Sequence, residues 1–432
     1  MRRGFYTIMA AQFFSSLADN ALLIASISLL LDLKGPPWIT PLLKWSFTVS
    51  YVVLAAFVGA FADSMPKGKV MFVTNMIKIF GCALLFFSDD MAISGVAPFW
   101  FVLAAYAFVG LGAAAYSPAK YGILTELLPA HQLVVANGWI EGLTVLSIVM
   151  GTLIGGVLIG PKVSAFLLAF DMPFFDTGID TPTEAAITVI AGFYLVAALF
   201  NLAIPDTGAR YPNQERNPVR LLADFSRCFT VLWHDKLGQI SLAVTTLFWG
   251  AAATLQFIVL RWAEQHLQLP LAQGAILQGV SAIGIALGAV LAARFIPLKS
   301  AMRVLPTGVV MGLFVIILIF VKWMPLVYLL LMAAGALAGF FVVPMNALLQ
   351  HRGHVLMSAG HSIAVQNFNE NVSILLMLAL YSQMIRLDMH IHTVIMIFGV
   401  FVACAMYLVI RWNAANHRND PGLDRLIGEA KH

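Results

Sequence analysis

Long apolar runs separated by short polar segments follow one another along nearly the whole chain. A helix that crosses a bilayer needs about 20 mainly apolar residues. By that measure the pattern predicts twelve spans, at about residues 5–33, 41–63, 69–88, 97–117, 132–160, 184–204, 238–262, 271–294, 303–321, 325–346, 360–383 and 390–412. The expected fold class is therefore an all-α membrane protein.

The second half of the pattern repeats the first. Three pairs of like residues are separated by a near-constant offset of 226 or 229 positions, namely Gly59 and Gly288, Pro118 and Pro344, and Glu141 and Glu370. An offset of about half the chain predicts two pseudo-symmetric six-helix halves, at 1–204 and 237–412. A linker at 205–236 joins them, and a polar tail at 413–432 follows the last span.

Composition supports a membrane protein and excludes several classes. Sixty per cent of the residues are hydrophobic, 11% are charged, and the mean hydropathy is +0.88, far from the range of soluble domains. A formal charge of +4 gives nucleic-acid binding no support. The three cysteines match no disulfide or metal spacing. The His-x4-Asp signature of glycerolipid acyltransferases, the phosphate loop and the H-E-x-x-H metal pair are also absent from the sequence. We therefore expect a non-enzyme without a cofactor or metal. Because nothing in the sequence suggests an extended dimer face, we also expect a monomer.

The positive charges predict the orientation. Most Lys and Arg residues fall on one side of the twelve-span arrangement, which places both termini and the linker in the cytoplasm. Within the linker, Leu221, Phe225, Phe229 and Trp233 share one face of a predicted helix. That helix lies either in the membrane surface or on the protein's own cytoplasmic face.

The first span carries a polar stripe that steps by three and four residues: Gln12, Ser15, Ser16, Asp19 and Asn20. An ionised Asp at the centre of a bilayer helix costs about 2.5–3.5 kcal/mol. Asp19 should thus face a wet cavity or a cation, and with Asn20 it is a candidate substrate contact. The alternative is a hydrogen-bonded Asp that only holds helices together. If Asp19 is functional, Asp19→Asn should leave the amount of folded protein near normal.

Further polar residues interrupt the apolar runs. Asn75 and Lys78 share a face of the third span, and Lys120 follows the fourth. Each is a candidate headgroup contact, although Lys78 has the alternative role of neutralising Asp19.

Matching polar ladders with i, i+4 spacing occur in the fifth and eleventh spans. They contain Asn137 with Glu141, Gln366 with Glu370, and Asn367 with Asn371. Asn346, in the repeat counterpart of the Pro118 segment, is grouped with them. A single ladder can be explained by hydrogen bonds that hold neighbouring helices together. Two ladders at equivalent positions of two repeats instead favour opposite walls of one substrate site between the halves.

The loop after the second span contains Gly59, then Asp63, then Lys67 and Lys69 around a glycine. This arrangement resembles the loop signature of the major facilitator superfamily, although Gly68 lies two positions later than in the general pattern. The resemblance implies a twelve-helix fold and a cytoplasmic gate, in which Asp63 meets a helix N-terminus and a cation such as Lys120.

Several segments are together similar to the bacterial lysophospholipid transporter family, a branch of that superfamily. They read ADNALLIASISLLL, GAFADSMPKGKV, GAAAYSPAKYGIL, VPMNALLQHRG and AVQNFNEN. The resemblance implies flipping of lysophosphatidylethanolamine, and of lysophosphatidylglycerol, to the cytoplasmic leaflet of the inner membrane, where a partner acyltransferase reacylates it. One departure is Gln256, which stands where an Arg is expected, with Arg261 five residues later.

A lysolipid substrate is compatible with the polar residues. Its phosphate needs a cation such as Lys120 or Lys78, and its ammonium needs a carboxylate such as Asp19 or Glu141. Two other hypotheses stay open: a proton-coupled exporter of amphiphilic drugs, and a membrane scaffold that only recruits an acyltransferase.

Overall fold

The computed structural model describes residues 2–63, 65–88, 97–127, 130–169, 179–208, 217–356, 359–420 and 422–423. Every regular element within these ranges is an α-helix or a short 3-10 segment. This agrees with the expected all-α class.

Eight helices of the described residues precede the linker. They are α1 (Arg2–Asp32), α2 (Thr40–Leu54), α3 (Val58–Asp63), α4 (Lys67–Phe86), α5 (Pro98–Leu127), α6 (Ala130–Ile159), α7 (Pro161–Leu168) and α8 (Pro182–Leu202). Helix α8 begins at a capping box, in which Thr181 Oγ1 accepts from the Glu184 amide and the Glu184 carboxylate accepts from the Thr181 amide. Both bonds use backbone N–H groups that a helix start leaves unpaired.

The linker itself contains α9 (Pro218–His234). In the described part of the chain six helices follow it: α10 (Lys236–Leu267), α11 (Leu271–Phe295), α12 (Leu305–Ile316), α13 (Met324–Leu356), α14 (Ala359–Arg386) and α15 (Ile391–Asn419). Short 3-10 segments lie at Pro37–Ile39, Leu298–Val304 and Ile317–Phe320.

Ten helices in the described part are long and apolar enough to cross a membrane, and each coincides with one of the predicted spans. The second and eleventh predicted spans differ from these. The second is divided into α2 and α3 by a turn at 55–57, and the eleventh is α14, whose first half carries the polar Gln366–Asn371 segment. Both are helical at the predicted positions.

The chain divides into two compact units, residues 1–218 with 269–279, and residues 219–268 with 280–432. In the first unit α1 packs on α6 and α8, and α4 packs on α5 and α8. In the second unit α10 packs on α14 and α15, and α12 packs on α13 and α15. The same neighbours therefore recur in the same chain order within each half.

Glycines let α11 and α13 approach at backbone distance. A methyl group added to any of four glycines would collide with a carbonyl oxygen of the opposite helix. These contacts join Gly284 to Met332, Gly288 to Ala336, Gly335 to Ser281 and Gly339 to Ile285. Small residues four positions apart allow this approach between helices in lipid, where close packing takes the place of the hydrophobic effect.

The amphipathic helix of the linker, α9, packs on its own half of the protein. Phe225 and Phe229 contact the ring of Phe368 on α14, with centroids 5.3 and 6.2 Å apart. Trp233 Nε1 donates to Asn369 Oδ1 at 3.2 Å. Of the two positions that the sequence allows for this helix, the structure has the protein-bound one.

The tail after the last span is ordered further than a polar tail suggests. Helix α15 extends to Asn419, where Asn416 Nδ2 donates to the Lys236 carbonyl at 3.2 Å. Leu423 is only 1% exposed and packs with Leu237, Ala301 and Leu348. The tail thus closes the start of α10.

Candidate functional site

A buried ion pair lies among α1, α4 and α8 of the first half. Lys78 Nζ is 2.8 Å from Asp19 Oδ1 and 2.9 Å from Oδ2. The Tyr194 hydroxyl donates to Asp19 Oδ1 at 2.6 Å. Lys78 also donates to Ser15 Oγ at 3.0 Å, so its three N–H groups all have acceptors.

Neighbouring side chains fix the Lys78 ammonium from other directions. It lies 5.2 Å from the ring centroid of Tyr116 and 5.3 Å from that of Tyr194, within the range of a cation–π attraction. Ser15 Oγ in turn donates to Asn75 Oδ1 at 2.8 Å. The polar residues of α1 and α4 thus form one network.

The two members of the pair differ in access. The Asp19 side chain is 22% exposed, whereas the Lys78 side chain is 1% exposed. A buried charge is tolerated only beside a partner of opposite sign. Lys78 therefore neutralises Asp19, as one of the two sequence interpretations held, and Asp19 presents the open face of the pair.

Two other residues of the polar stripe on α1 are also hydrogen-bonded. Gln12 Nε2 donates to Thr144 Oγ1 on α6 at 2.7 Å, and Asn20 Nδ2 donates to the Ser16 carbonyl at 2.8 Å. Gln12 therefore holds α1 to α6. Asp19 differs from it because its side chain is both bonded to neighbouring helices and partly exposed.

In the second half, the predicted ladder on α14 is a set of side-chain hydrogen bonds. Gln366 Nε2 donates to Glu370 Oε1 at 2.7 Å and to Asn346 Oδ1 on α13 at 3.1 Å. Asn371 Nδ2 donates to the backbone carbonyl of Asn367 at 2.7 Å. Gln366 and Glu370 are also buried. The structure thus brings Asn346, Gln366 and Glu370, all predicted from the sequence, into one hydrogen-bonded group.

A second ion pair lies at the start of α10. Arg352 on α13 donates from Nε to Asp235 Oδ2 at 2.9 Å and from Nη2 to Oδ1. The same carboxylate caps α10 by accepting from the Gly238 amide at 2.7 Å. Because Asp235 pairs with Arg352 and also caps α10, it connects α13 to the first turn of α10.

Comparison with known proteins decides the family. A sequence profile of the Major Facilitator Superfamily matches residues 8–377. The chain belongs to the major facilitator superfamily.

Curated members of this superfamily resemble the chain closely in sequence. The lysophospholipid transporter LplT of Yersinia enterocolitica serotype O:8 / biotype 1B is 42% identical over 388 residues, which cover 90% of this chain and 88% of that protein. LplT of Yersinia pestis (strain Pestoides F) is 41% identical over the same shares.

Solved structures agree with the fold of this superfamily member. A mutant of the nucleoside transporter NupG matches with a TM-score of 0.69 at 13% identity, over 95% of this chain and all of that one. The POT family transporter PepTSo matches with a TM-score of 0.70 at 13% identity, over 97% and 99%. At 13% identity these matches support the fold alone.

The loop predicted to act as a gate is described in part. Gly59 lies in α3, and the Asp63 side chain lies outside the described residues. Lys67, the first residue of α4, is buried and donates from Nζ to the Ala62 carbonyl at 2.9 Å. It thereby satisfies the C-terminal end of α3. Lys69 is exposed.

Three other predicted contacts lie at the ends of α5 and α6. Lys120 is half-buried near the end of α5. Asn137 and Glu141 lie on the helical backbone of α6, one turn apart, but their side chains are outside the described part of the chain. The idea that Glu141 and Glu370 share a headgroup therefore stays a prediction.

Tyr194 is the residue that sequence reasoning missed. It is fully buried in α8, 175 positions from the Asp19 carboxylate to which it donates. The available signal was a phenol within an apolar span, because a buried tyrosine hydroxyl usually has a polar partner. That signal gives no indication of which partner it is.

Proposed function

We propose that this chain moves lysophospholipids to the cytoplasmic leaflet of the bacterial inner membrane, where they are reacylated. The high identity to proteins named lysophospholipid transporters, over 90% of the chain, supports this substrate class. The curated relatives reported above are named lysophospholipid transporters, and neither is named a drug exporter. In this proposal the termini are cytoplasmic and the transporter works as a monomer that supplies a cytoplasmic-face acyltransferase.

The observation that carries a role in the headgroup site is the unequal exposure of Asp19 and Lys78. A lysophosphatidylethanolamine headgroup offers an ammonium and a phosphate. The ammonium has access to Asp19 from its open side, whereas Lys78 is enclosed and has its three donors occupied. We therefore assign ammonium binding to Asp19, and the role of buried counterion to Lys78.

The phosphate then requires a different cation. Lys120 remains a candidate of the first half because it is half-buried rather than enclosed. Charge-assisted bonds to phosphate are among the stronger hydrogen bonds in proteins.

The acyl chain of the substrate argues for access from within the membrane. Each buried CH₂ contributes about 0.8 kcal/mol, so a sixteen-carbon chain resists leaving the bilayer by about 12 kcal/mol. A lipid that enters sideways between helices keeps its tail in hydrocarbon while the headgroup crosses. Alternating access of the two halves would then move the headgroup alone through protein.

Flipping of fluorescent lysophosphatidylethanolamine in proteoliposomes tests the proposal. The purified protein should carry the lipid, and Asp19→Asn should stop it. Asp32→Asn is a matched control, because Asp32 lies on the same helix and accepts a hydrogen bond from Thr183 at 2.6 Å. Drug efflux that depends on a proton gradient, without lysolipid flipping, would support the exporter instead, and no transport at all would support the scaffold.

A further inference from the structure

Three histidines meet at the end of the second half where α10 finishes and α15 begins. His266 lies in the last turn of α10, His390 caps α15, and His392 lies in its first turn. Their ring centroids are 4.8 Å apart for His266 and His392 and 4.7 Å apart for His390 and His392. The proposed transport mechanism gives these residues no role.

Hydrogen bonds fix the protons of the first ring. His266 Nε2 is 3.1 Å from the Val321 carbonyl oxygen. A carbonyl only accepts, so Nε2 carries the hydrogen and donates. In neutral His266 the other nitrogen, Nδ1, therefore has a lone pair.

That lone pair faces the second ring. His266 Nδ1 lies 3.0 Å from His392 Nε2. This contact needs one hydrogen between the two nitrogens, donated by His392 when His266 is neutral. Through it α10 is tied to α15, while the Val321 bond ties α10 to the segment before α13.

The number of protons decides whether the contact exists. One added proton is tolerated, because either ring becomes a cation while the other still offers a lone pair. A second added proton places an N–H group on both facing nitrogens and a positive charge on both rings. The hydrogen bond is then replaced by repulsion.

The surroundings favour opening once both rings are charged. His266, His390 and Lys322 lie close enough to act electrostatically on His392, and all three are positive or can become so. The acids of this junction, Glu264 before His266 and Asp388 before His390, are both exposed to solvent. Lys322 follows Val321 before α13, so each element at this junction contributes positive or titratable groups. The ring of Trp262 stacks on that of His266 at a centroid distance of 5.6 Å. An aromatic face attracts a cation, so this contact favours the protonated form of His266.

We propose that the His266–His392 pair is a proton-binding site that releases the end of α10 from α15 in acid. Histidine is the side chain whose charge ordinarily changes between about pH 5 and 8, so a comparison of neutral with mildly acidic solution covers the range in which the site should respond. This inference does not rest on the lysolipid assignment. With cytoplasmic termini in the inner membrane, the site faces the periplasm and senses the acidity there.

The chain allows a sharp substitution. In His266→Gln the side-chain amide can donate to Val321 and its carbonyl can accept from His392, as neutral histidine does, but it does not titrate. His234→Gln is the matched control, since His234 is an exposed histidine on α9 at the other end of α10.

Hydrogen exchange read by mass spectrometry measures the release directly. The protein in lipid nanodiscs is labelled at pH 7.5 and at pH 5.5, with labelling times corrected for the intrinsic rate. Peptides that contain the last turn of α10 and the first turn of α15 should lose about tenfold protection at pH 5.5 in the wild type, as the loss of one net hydrogen bond allows. His266→Gln should keep its protection, and His234→Gln should behave as wild type.

A functional readout follows from the same variants. Lysolipid flipping in proteoliposomes with only the external pH lowered should fall in the wild type and stay level in His266→Gln. Equal loss of exchange protection in the wild type and in His266→Gln would overturn the proton site. Loss of protection in the wild type alone supports the site even if the protein carries no lysolipid, which keeps this test separate from that of the transport function.

Discussion

The ion pair between Asp19 and Lys78 makes a strong prediction about stability. Asp19→Asn removes the carboxylate from a lysine that is 1% exposed. Breaking a buried pair by removing one partner costs about 3–5 kcal/mol, because a buried charge is left uncompensated. Asp19 is 22% exposed and Asn can still accept a hydrogen bond, so the lower end, about 3 kcal/mol, applies.

This magnitude replaces the expectation from sequence that Asp19→Asn leaves the amount of folded protein near normal. For a unit of about 200 residues, 3 kcal/mol corresponds to a fall of about 6 °C or more in the unfolding midpoint. Heating the detergent-solubilised protein, followed by size-exclusion chromatography with fluorescence detection, measures that midpoint. Lys78→Met should lower it for the same reason.

The double variant Asp19→Asn with Lys78→Met separates structure from function. Removing both members of a buried pair is close to neutral, so the midpoint should return to within about 2 °C of the wild type. Flipping of lysophosphatidylethanolamine should remain absent, because the ammonium has lost its carboxylate. A wild-type midpoint in the Asp19→Asn variant would refute the structural reasoning, and a transporting double variant would refute the assignment of Asp19 to the headgroup.

Three further predictions concern single substitutions. Tyr194→Phe keeps the ring beside Lys78 but removes a hydrogen bond to a charged acceptor, and such a bond contributes about 1.5–3 kcal/mol. The same unfolding midpoint should therefore fall measurably, and an unchanged midpoint would contradict the prediction. Gly112→Ala places a methyl group 2.8 Å from Lys78 Cγ and from the Thr74 carbonyl oxygen, so overpacking should cost about 1–3 kcal/mol, as a urea-unfolding series in detergent can check. Glu370→Gln should slow flipping of lysophosphatidylethanolamine more than that of lysophosphatidylglycerol, which has no ammonium; equal slowing of both would indicate a packing role.

The sequence predicts the spans because lipid imposes a simple length requirement on each helix. It also predicts the division into halves, since the Glu141 and Glu370 offset reflects a repeat. The capping box of α8 is readable for a similar reason, because Thr181 and Glu184 are three residues apart and need no distant partner.

Partners across the fold are a different matter. Helical spacing places Asp19 on a face of α1 but gives no information on which helix covers that face. The choice between a substrate role and neutralisation by Lys78 therefore required three-dimensional positions. The same limit applies to α9, because an apolar helix face fits a membrane surface and a protein surface equally well.

The buried leucine of the tail has a consequence for the order in which this protein is made. Leu423 leaves the ribosome long after Leu237, Ala301 and Leu348, the residues with which it packs. The second half therefore cannot complete this apolar cluster until synthesis has passed the last span. A chain that stalls after the last span would leave these apolar side chains uncovered, which is the kind of surface that chaperones and proteases bind. Closure of this cluster by Leu423 is thus a late step in the folding of the second half.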